Sequence, residues 1–246
     1  MKITTSNLIR FSGLALVPAG IVFSSIQPIH PPDVVESVTT SAWAIITSLK
    51  TAMCVLFLVG ITGLYARHAE KAGLLGLVAF LVLGLSWTLQ TMFVFAEAFI
   101  LPPLAATAPV FVDGLLGISY GHTGGVDLGA LPIIYSIGVG INYMLGGLLF
   151  GIATLRAGIL PRLPAALLAL AATLTPLAAL LPHAQQRFAA IPVALALAWL
   201  GYALFSERRG TASEVASATA NAQLRPAAGR HAEVRPKMNR TPARSC

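Results

Sequence analysis

The sequence predicts an all-α membrane protein, a polytopic bundle of six transmembrane helices with a basic C-terminal tail. Of its 246 residues, 56% are hydrophobic and 10% are charged, whereas a soluble domain carries about a quarter charged residues. Long apolar stretches recur along the first 206 positions, and the last 40 residues are polar and cationic. We therefore expect a transmembrane domain over 1–206 and a disordered cytoplasmic tail over 207–246.

Six segments are long enough to cross a bilayer as helices. Crossing the hydrocarbon core needs about 20 apolar residues, and a helix pairs their backbone polar groups within the segment. The first segment follows Lys2 and Arg10, but it is too long for a signal peptide and Ser24-Ser25-Ile26 is a poor cleavage site, so we expect it to be retained. The spans are placed at 8–29, 42–65, 73–101, 131–155, 163–182 and 188–206.

The cations are divided unequally between the two sides of this arrangement. With a cytoplasmic N-terminus, 14 of the 16 Lys and Arg residues lie inside, six before the tail and eight within it. Arg187 falls outside, and Lys50 lies within a span. The positive-inside rule thus predicts an inner (plasma) membrane protein with both termini cytoplasmic. Since the tail holds most of the net charge of +7, the charge does not indicate nucleic acid as a partner.

The connection over 102–130 is long for a loop, and long loops are often functional. Its first part is apolar and its second part is rich in glycine. We expect a short helix over 104–118 at the membrane surface and a flexible return over 119–130. Within it, Gly117-Ile-Ser-Tyr-Gly121 fits the nucleophile elbow of serine hydrolases, but that chemistry needs a preceding strand. The sequence therefore leans away from an enzyme, and we assign no catalytic residue.

Metal and cofactor chemistry have little support in the sequence. Imidazole and carboxylate groups suit transition metals, yet the candidates on the outer side lack the spacing of a helical metal motif. The sequence has no phosphate loop, no C-x-x-C pair and no dinucleotide fingerprint. We expect neither a metal nor a cofactor, and the weak metal candidates are His30, Asp33, His122 and His183.

Polar groups inside the spans are the better candidates for a site, because ionisable residues in a membrane are costly and usually have a partner. Helical rise places Lys50, Gln90 and Asn142 near one level, with Glu97 above them. Two interpretations stay open, namely a site for an ion or solute and a structural Lys50–Glu97 pair. The predicted intramembrane polar cluster comprises Lys50, Gln90, Glu97, Asn142, Tyr135 and Tyr143.

Small residues predict how the later spans pack. Gly147 and Gly151 have the spacing of a small-xxx-small motif on the fourth span, which lets two helices approach closely. Alanines around 165–179 give the fifth span the same property. We expect these contacts to lie within one chain rather than between two chains.

Two segments near the N-terminus carry a family resemblance. The first span through His30-Pro-Pro-Asp33, and Gly63-Leu-Tyr-Ala-Arg67 with the following Glu70-Lys71-Ala-Gly73, resemble small bacterial multi-pass membrane proteins classed as domains of unknown function. The resemblance covers about the first hundred residues. It implies no activity and no catalytic residues.

The sequence leaves three functions open. The first is a small carrier or permease-like protein for an ion or small solute, which needs a water-accessible path to the polar cluster. The second is a non-catalytic accessory or assembly protein, and the third is a membrane-embedded enzyme. The expected partner is the lipid bilayer, and we do not expect nucleic acid as a partner. The sequence leaves open whether the protein forms a homo- or hetero-oligomer. The cationic tail is suited to contact anionic lipid.

Overall fold

The computed structural model describes residues 4–206, apart from the side chains of 183 and 184, and these residues form helices and turns without strands. Within residues 4–206, five helices are long and apolar enough to cross a membrane. The predicted tail over 207–246 lies outside the described residues. In chain order the helices are α1 (Thr5–Ile26), α2 (Val35–Val38), α3 (Ser41–Leu104), α4 (Pro109–Tyr120), α5 (Leu131–Ala157), α6 (Arg162–Leu180) and α7 (Arg187–Ser206), and a single helical turn, His183–Gln186, precedes α7.

Helix α3 is bent back on itself at Gly73. The φ and ψ angles of this residue are 56° and −148°, a region that glycine reaches without steric cost. Residues at similar distances from the bend then meet: Phe57 stacks on Trp87 with ring centroids 4.4 Å apart, and Tyr65 stacks on Phe80 at 4.7 Å. The two halves are therefore antiparallel. The connection that we expected between the second and third spans is helical up to this glycine.

The ends of these helices follow local capping rules. The Thr4 side chain accepts a hydrogen bond from the backbone N–H of Asn7, and Thr40 accepts one from Trp43, both at 3.2 Å. Each satisfies a donor that has no partner within its helix. Helix α5 ends before Gly158, whose φ is 63°, as is typical of a glycine that terminates a helix.

Small residues bring the helices into close contact. A Cβ atom added to Gly63 of α3 would overlap the side chain of Ser12 of α1. One added to Gly147 would lie 2.5 Å from Cβ of Ala172, and one added to Gly151 would lie 2.6 Å from the carbonyl oxygen of Ala165. Gly147 and Gly151 of α5 thus pack against α6 of the same chain, where backbone atoms approach closely.

Two stretches of π-helix interrupt the long helices, at Ala96–Ile100 in α3 and at Ile134–Ile141 in α5. A π-helix leaves some carbonyl groups without their usual partner in the helix. Two side chains from elsewhere in the bundle fill this role: Trp43 Nε1 donates to the Glu97 carbonyl at 2.9 Å, and Ser86 Oγ donates to the Val139 carbonyl at 2.8 Å. Both stretches are thereby fixed to neighbouring segments of α3.

Helix α4 covers one end of the bundle. Its side chains Val112 and Leu116 are buried together with Val38, Trp43 and Leu101. The short helix that we expected over 104–118 therefore begins at Pro109, and it packs on protein through these side chains. The following segment, 121–130, turns through glycines with positive φ.

Candidate functional site

Charged side chains converge at the end of the bundle that α4 covers, which we call the site end. Lys50 of α3 donates a hydrogen bond to Glu97 Oε2 at 2.7 Å, and its Nζ lies 3.1 Å from His30 Nε2. The Lys50 side chain is 15% exposed and that of Glu97 is 23% exposed. The two residues that the sequence suggested as a pair are therefore in contact and largely shielded from solvent.

His30 joins this pair to a second one. Its Nδ1 lies 2.7 Å from the carbonyl oxygen of Pro31, so this nitrogen carries the proton that it donates. Nε2 is then free to accept from the Lys50 ammonium group, and the hydrogen bonds thus assign a neutral ring. Burial lowers the pKa of His30 and the Lys50 charge lowers it further, against the opposing effects of Asp33 and Glu97. The ring is therefore held neutral between two carboxylates.

The second pair is formed by Asp33 and Arg187. Their charged groups lie 3.6 Å apart, and Asp33 Oδ1 is 3.7 Å from His30 Nδ1. Arg187 also donates from NH1 to the His30 carbonyl at 3.1 Å, and the Tyr120 hydroxyl donates to Asp33 Oδ2. Burial, followed by the hydrogen bond to Asp33, raises the pKa of the Tyr120 phenol above its ordinary value, so this group stays a donor.

The network is balanced in charge. Lys50 and Arg187 supply two positive charges, Glu97 and Asp33 supply two negative ones, and His30 is neutral. Partly buried charges of this kind are tolerated when each is paired. A proton or an ion that enters the network would therefore leave one charge uncompensated, and the pairs would have to rearrange.

Three cavities extend through the site end. The charged chamber, of about 170 Å³, contains Lys50, Glu97 and Gln90 among its lining side chains. The mouth, of about 630 Å³, includes His122 and Phe188 in its lining, and the aromatic pocket, of about 330 Å³, includes Trp87 and Tyr143. Gln27 and Arg187 line all three cavities. The chamber and the aromatic pocket also share Phe23, Gln90 and Tyr135.

The structure brings most of the predicted polar cluster together. Lys50, Gln90, Glu97 and Tyr135 line the chamber. Tyr143 lies in the aromatic pocket beside Gln90 and Tyr135. Asn142 lines none of the three cavities, although its calculated depth had grouped it with Lys50.

The outer-side metal candidates are only partly assembled. His30 and Asp33 belong to the charged network, and His122 lines the mouth. The side chain of His183 lies outside the described residues. Within the part of the chain that the structure describes, no three His, Cys, Asp or Glu side chains form a group that could hold a metal ion.

The nucleophile-elbow pattern lies on a helical turn. Ile118–Tyr120 form a 3₁₀ turn at the end of α4, and Ser119 Oγ donates to the Leu116 carbonyl at 3.2 Å. The helix Pro109–Gly117 precedes this serine, whereas the elbow of serine hydrolases needs a strand at that place. The residues therefore lack the geometry of that motif.

Among the residues of the site that the sequence did not predict as site residues are Gln27, Tyr120 and Arg187. Arg187 carried a signal, because it is the one cation that the positive-inside rule places outside. Asp33 supplies the charge that compensates it. Tyr120 and Gln27 carried no signal in the sequence. They reach the site only because α4 and the end of α1 pack there in the folded protein.

Comparisons with family models, with curated proteins and with solved structures found no match. The fold of residues 4–206 therefore defines only the class of this protein, a helical one with several helices long and apolar enough to span a membrane. The resemblance to multi-pass proteins of unknown function stays a prediction.

Proposed function

We propose that the chain is an inner-membrane protein with six spans and both termini in the cytoplasm. The antiparallel halves of α3 support two crossings for that helix, since positions 57 and 87 meet across the bend at Gly73. The charge distribution supports the orientation, because Arg67 and Lys71 lie beside the bend and Arg156 lies in the last turn of α5. In this orientation the site end faces the outside of the cell.

We further propose that the protein is a carrier or permease-like protein for a small solute or ion, and that the charged chamber is part of its site. The lining residues that the three cavities share carry this proposal. Gln27 and Arg187 border the mouth, the chamber and the aromatic pocket alike. The three cavities therefore lie side by side at the outer end of the bundle, next to the two ion pairs, and in a carrier they would join into a path.

The charged network supports transport more than assembly. An accessory protein needs complementary outer faces but no interior path, whereas charged residues inside a membrane mark substrate and ion pathways. Lys50 and Glu97 lie within the proposed spans and pair at 2.7 Å, and Asp33 and Arg187 form a second pair at the outer ends of the helices. A charged solute that binds one member of an ion pair would release the other member. The network would then have two arrangements, one with the ion pair closed and one with the solute bound, and the charges would be similarly balanced in both.

The test is whether position 90 is exposed alternately to the two sides of the membrane. In a Cys54→Ser, Cys246→Ser background, Gln90→Cys is treated with a membrane-impermeant cationic thiosulfonate in right-side-out and in inside-out vesicles. A carrier exposes this position to both sides, so labelling is expected in both preparations and faster from the outside.

Met92→Cys is the matched control, because this side chain is 61% exposed on the outer surface of the bundle and faces lipid in the proposed arrangement. It should be labelled from neither side. Labelling of Gln90→Cys from the outside alone would contradict a carrier and favour a static binding or accessory protein.

A further inference from the structure

Two of the residues that line the aromatic pocket carry a buried hydrogen-bond donor that has no partner within the part of the chain that the structure describes. Among residues 4–206, neither Trp87 Nε1 nor the Tyr143 hydroxyl has a hydrogen-bond partner, although both atoms are buried. Trp87 as a whole is 2% exposed. Buried polar groups are nearly always paired, so two such groups in one pocket call for an explanation.

Neighbouring rings hold Trp87 in place. Phe57 stacks on it at 4.4 Å, and Phe23 meets it edge to face at 5.7 Å. Tyr143 packs against it at 6.0 Å with the ring planes at 73°. The indole is therefore fixed by packing, and it cannot turn to find another acceptor without disturbing three aromatic contacts.

Arg187 also lines the pocket, but its charge is paired with Asp33 and it donates to the His30 carbonyl. Two further polar side chains of the pocket are engaged with the backbone. Ser86 Oγ donates to the Val139 carbonyl at 2.8 Å, and Gln27 Nε2 donates to the Phe23 carbonyl at 2.7 Å. The indole N–H can only donate, and a tyrosine hydroxyl donates readily. A ligand that complements this pocket therefore brings acceptor oxygens on an otherwise apolar body.

We propose that the aromatic pocket binds a flat, uncharged, apolar molecule that carries carbonyl-type acceptor oxygens, one for Trp87 and one for Tyr143. The volume of about 330 Å³ lies within the range of small-molecule sites. The mostly apolar lining favours the body of such a molecule over an ion or a sugar. The inference that this molecule is the transported solute rests on the proposed carrier function. The inference that the pocket binds such a molecule rests on the pocket alone.

The test compares two ligands of the same shape. Binding of 2-methyl-1,4-naphthoquinone, which has two carbonyl groups, and of 2-methylnaphthalene, which has none, is measured by equilibrium dialysis. The full chain is held in phosphatidylcholine nanodiscs, and partition into empty nanodiscs is subtracted. We expect the quinone to bind at least about ten-fold more tightly, because two hydrogen bonds distinguish the ligands.

Conservative variants connect the effect to the two donors. Tyr143→Phe and Trp87→Phe each keep an aromatic ring and remove one donor. Each should weaken quinone binding about five-fold and leave binding of the hydrocarbon unchanged. Trp199→Phe and Tyr202→Phe are matched controls, because these side chains are 43% and 61% exposed on α7, and they should bind both ligands like the wild type.

Equal binding of the two ligands by the wild type would overturn the proposal and indicate an apolar crevice that admits lipid chains. Quinone binding that Tyr143→Phe leaves unaltered would also overturn it, and this variant decides the matter if Trp87→Phe does not fold. Quinone-specific binding without labelling of Gln90→Cys from the inside would retain the pocket and reject the carrier. Labelling of Gln90→Cys from both sides, together with equal binding of the two ligands, would retain the carrier and reject the proposed ligand of the pocket.

Discussion

The ammonium group of Lys50 lies 2.7 Å from the Glu97 carboxylate, although 47 residues separate the two in the chain. The bend at Gly73 makes this contact, because it returns the second half of α3 along the first. The Trp43 indole fixes the backbone at Glu97 through a hydrogen bond to its carbonyl group. The ion pair is therefore built into one helix hairpin, with His30 added from the segment after α1.

Breaking this pair should destabilise the protein. Lys50→Met and Glu97→Gln each leave one partly buried charge without its partner, and each is expected to cost about 2 kcal/mol, less than for a fully buried pair. In the double variant the loss should be smaller than the sum by about 1 kcal/mol. The free energies of unfolding of the two single variants and the double variant are measured in a denaturing detergent. Lys71→Met is the control, because Lys71 is exposed. Additive losses would show that the two groups do not interact.

Acidification should weaken the folded state through His30. Its pKa lies below the ordinary value of 6.5, by burial first and by Lys50 second, with Asp33 and Glu97 acting in the opposite direction. The unfolded chain then binds this proton more readily than the folded one. The stability that the neutral ring contributes is therefore complete above about pH 6.5 and is lost as the pH falls through the lowered pKa.

Melting temperatures at about pH 8 and about pH 5 test this effect. His30→Gln keeps an acceptor for Lys50 but does not titrate, so its melting temperature should fall less on acidification than that of the wild type. His122→Gln removes an exposed histidine and should keep the wild-type difference. An equal fall in all three proteins would mean that His30 does not couple protonation to folding.

Two glycines should respond in opposite ways to alanine. In Gly151→Ala, the new methyl group would lie 2.6 Å from the carbonyl oxygen of Ala165 and 2.7 Å from the amide nitrogen of Ala169. Backbone atoms of this kind cannot move aside, so α5 and α6 must separate and a loss of about 1–3 kcal/mol is expected. In Gly84→Ala the methyl group meets no atom within 4 Å.

The second variant therefore serves as the control, and it should gain up to about 1 kcal/mol because alanine favours a helix. Unfolding of both in one detergent gives the comparison. A stable Gly151→Ala protein would contradict the close packing of α5 on α6.

The long apolar helices were predictable because they depend on composition and length alone. The residues 73–101 were recognised as a separate apolar segment, and the structure adds that Gly73 itself makes the turn. The contact between Lys50 and Glu97 was one of two interpretations, since depth along a helix gives the level of a side chain but not its direction. Asn142 had a similar calculated depth, yet it lines none of the three cavities.

The loop contribution to the site could not be predicted in the same way. His30 and Asp33 were considered as weak metal ligands, whereas the structure gives them Lys50 and Arg187 as partners. This pairing depends on how the ends of α1 and α7 approach each other, which a one-dimensional pattern does not contain. The π-helical stretches were not predictable either, because they depend on partners such as Ser86 that lie far away in the sequence.

Reporter fusions should establish the topology. A phosphatase that is active only outside the cytoplasm is fused after Tyr120, after Glu70 and after Val215, in each case with the chain truncated at that point. The positive-inside rule places the first position outside and the other two inside, so only the fusion after Tyr120 should be active. A cytoplasm-active reporter at the same three positions should give the opposite pattern and serves as the control for expression. Activity of the phosphatase after Val215 would require an odd number of crossings and overturn the six-span count. Activity of the phosphatase after Glu70 would place the bend at Gly73 outside and reverse the orientation of the charged chamber.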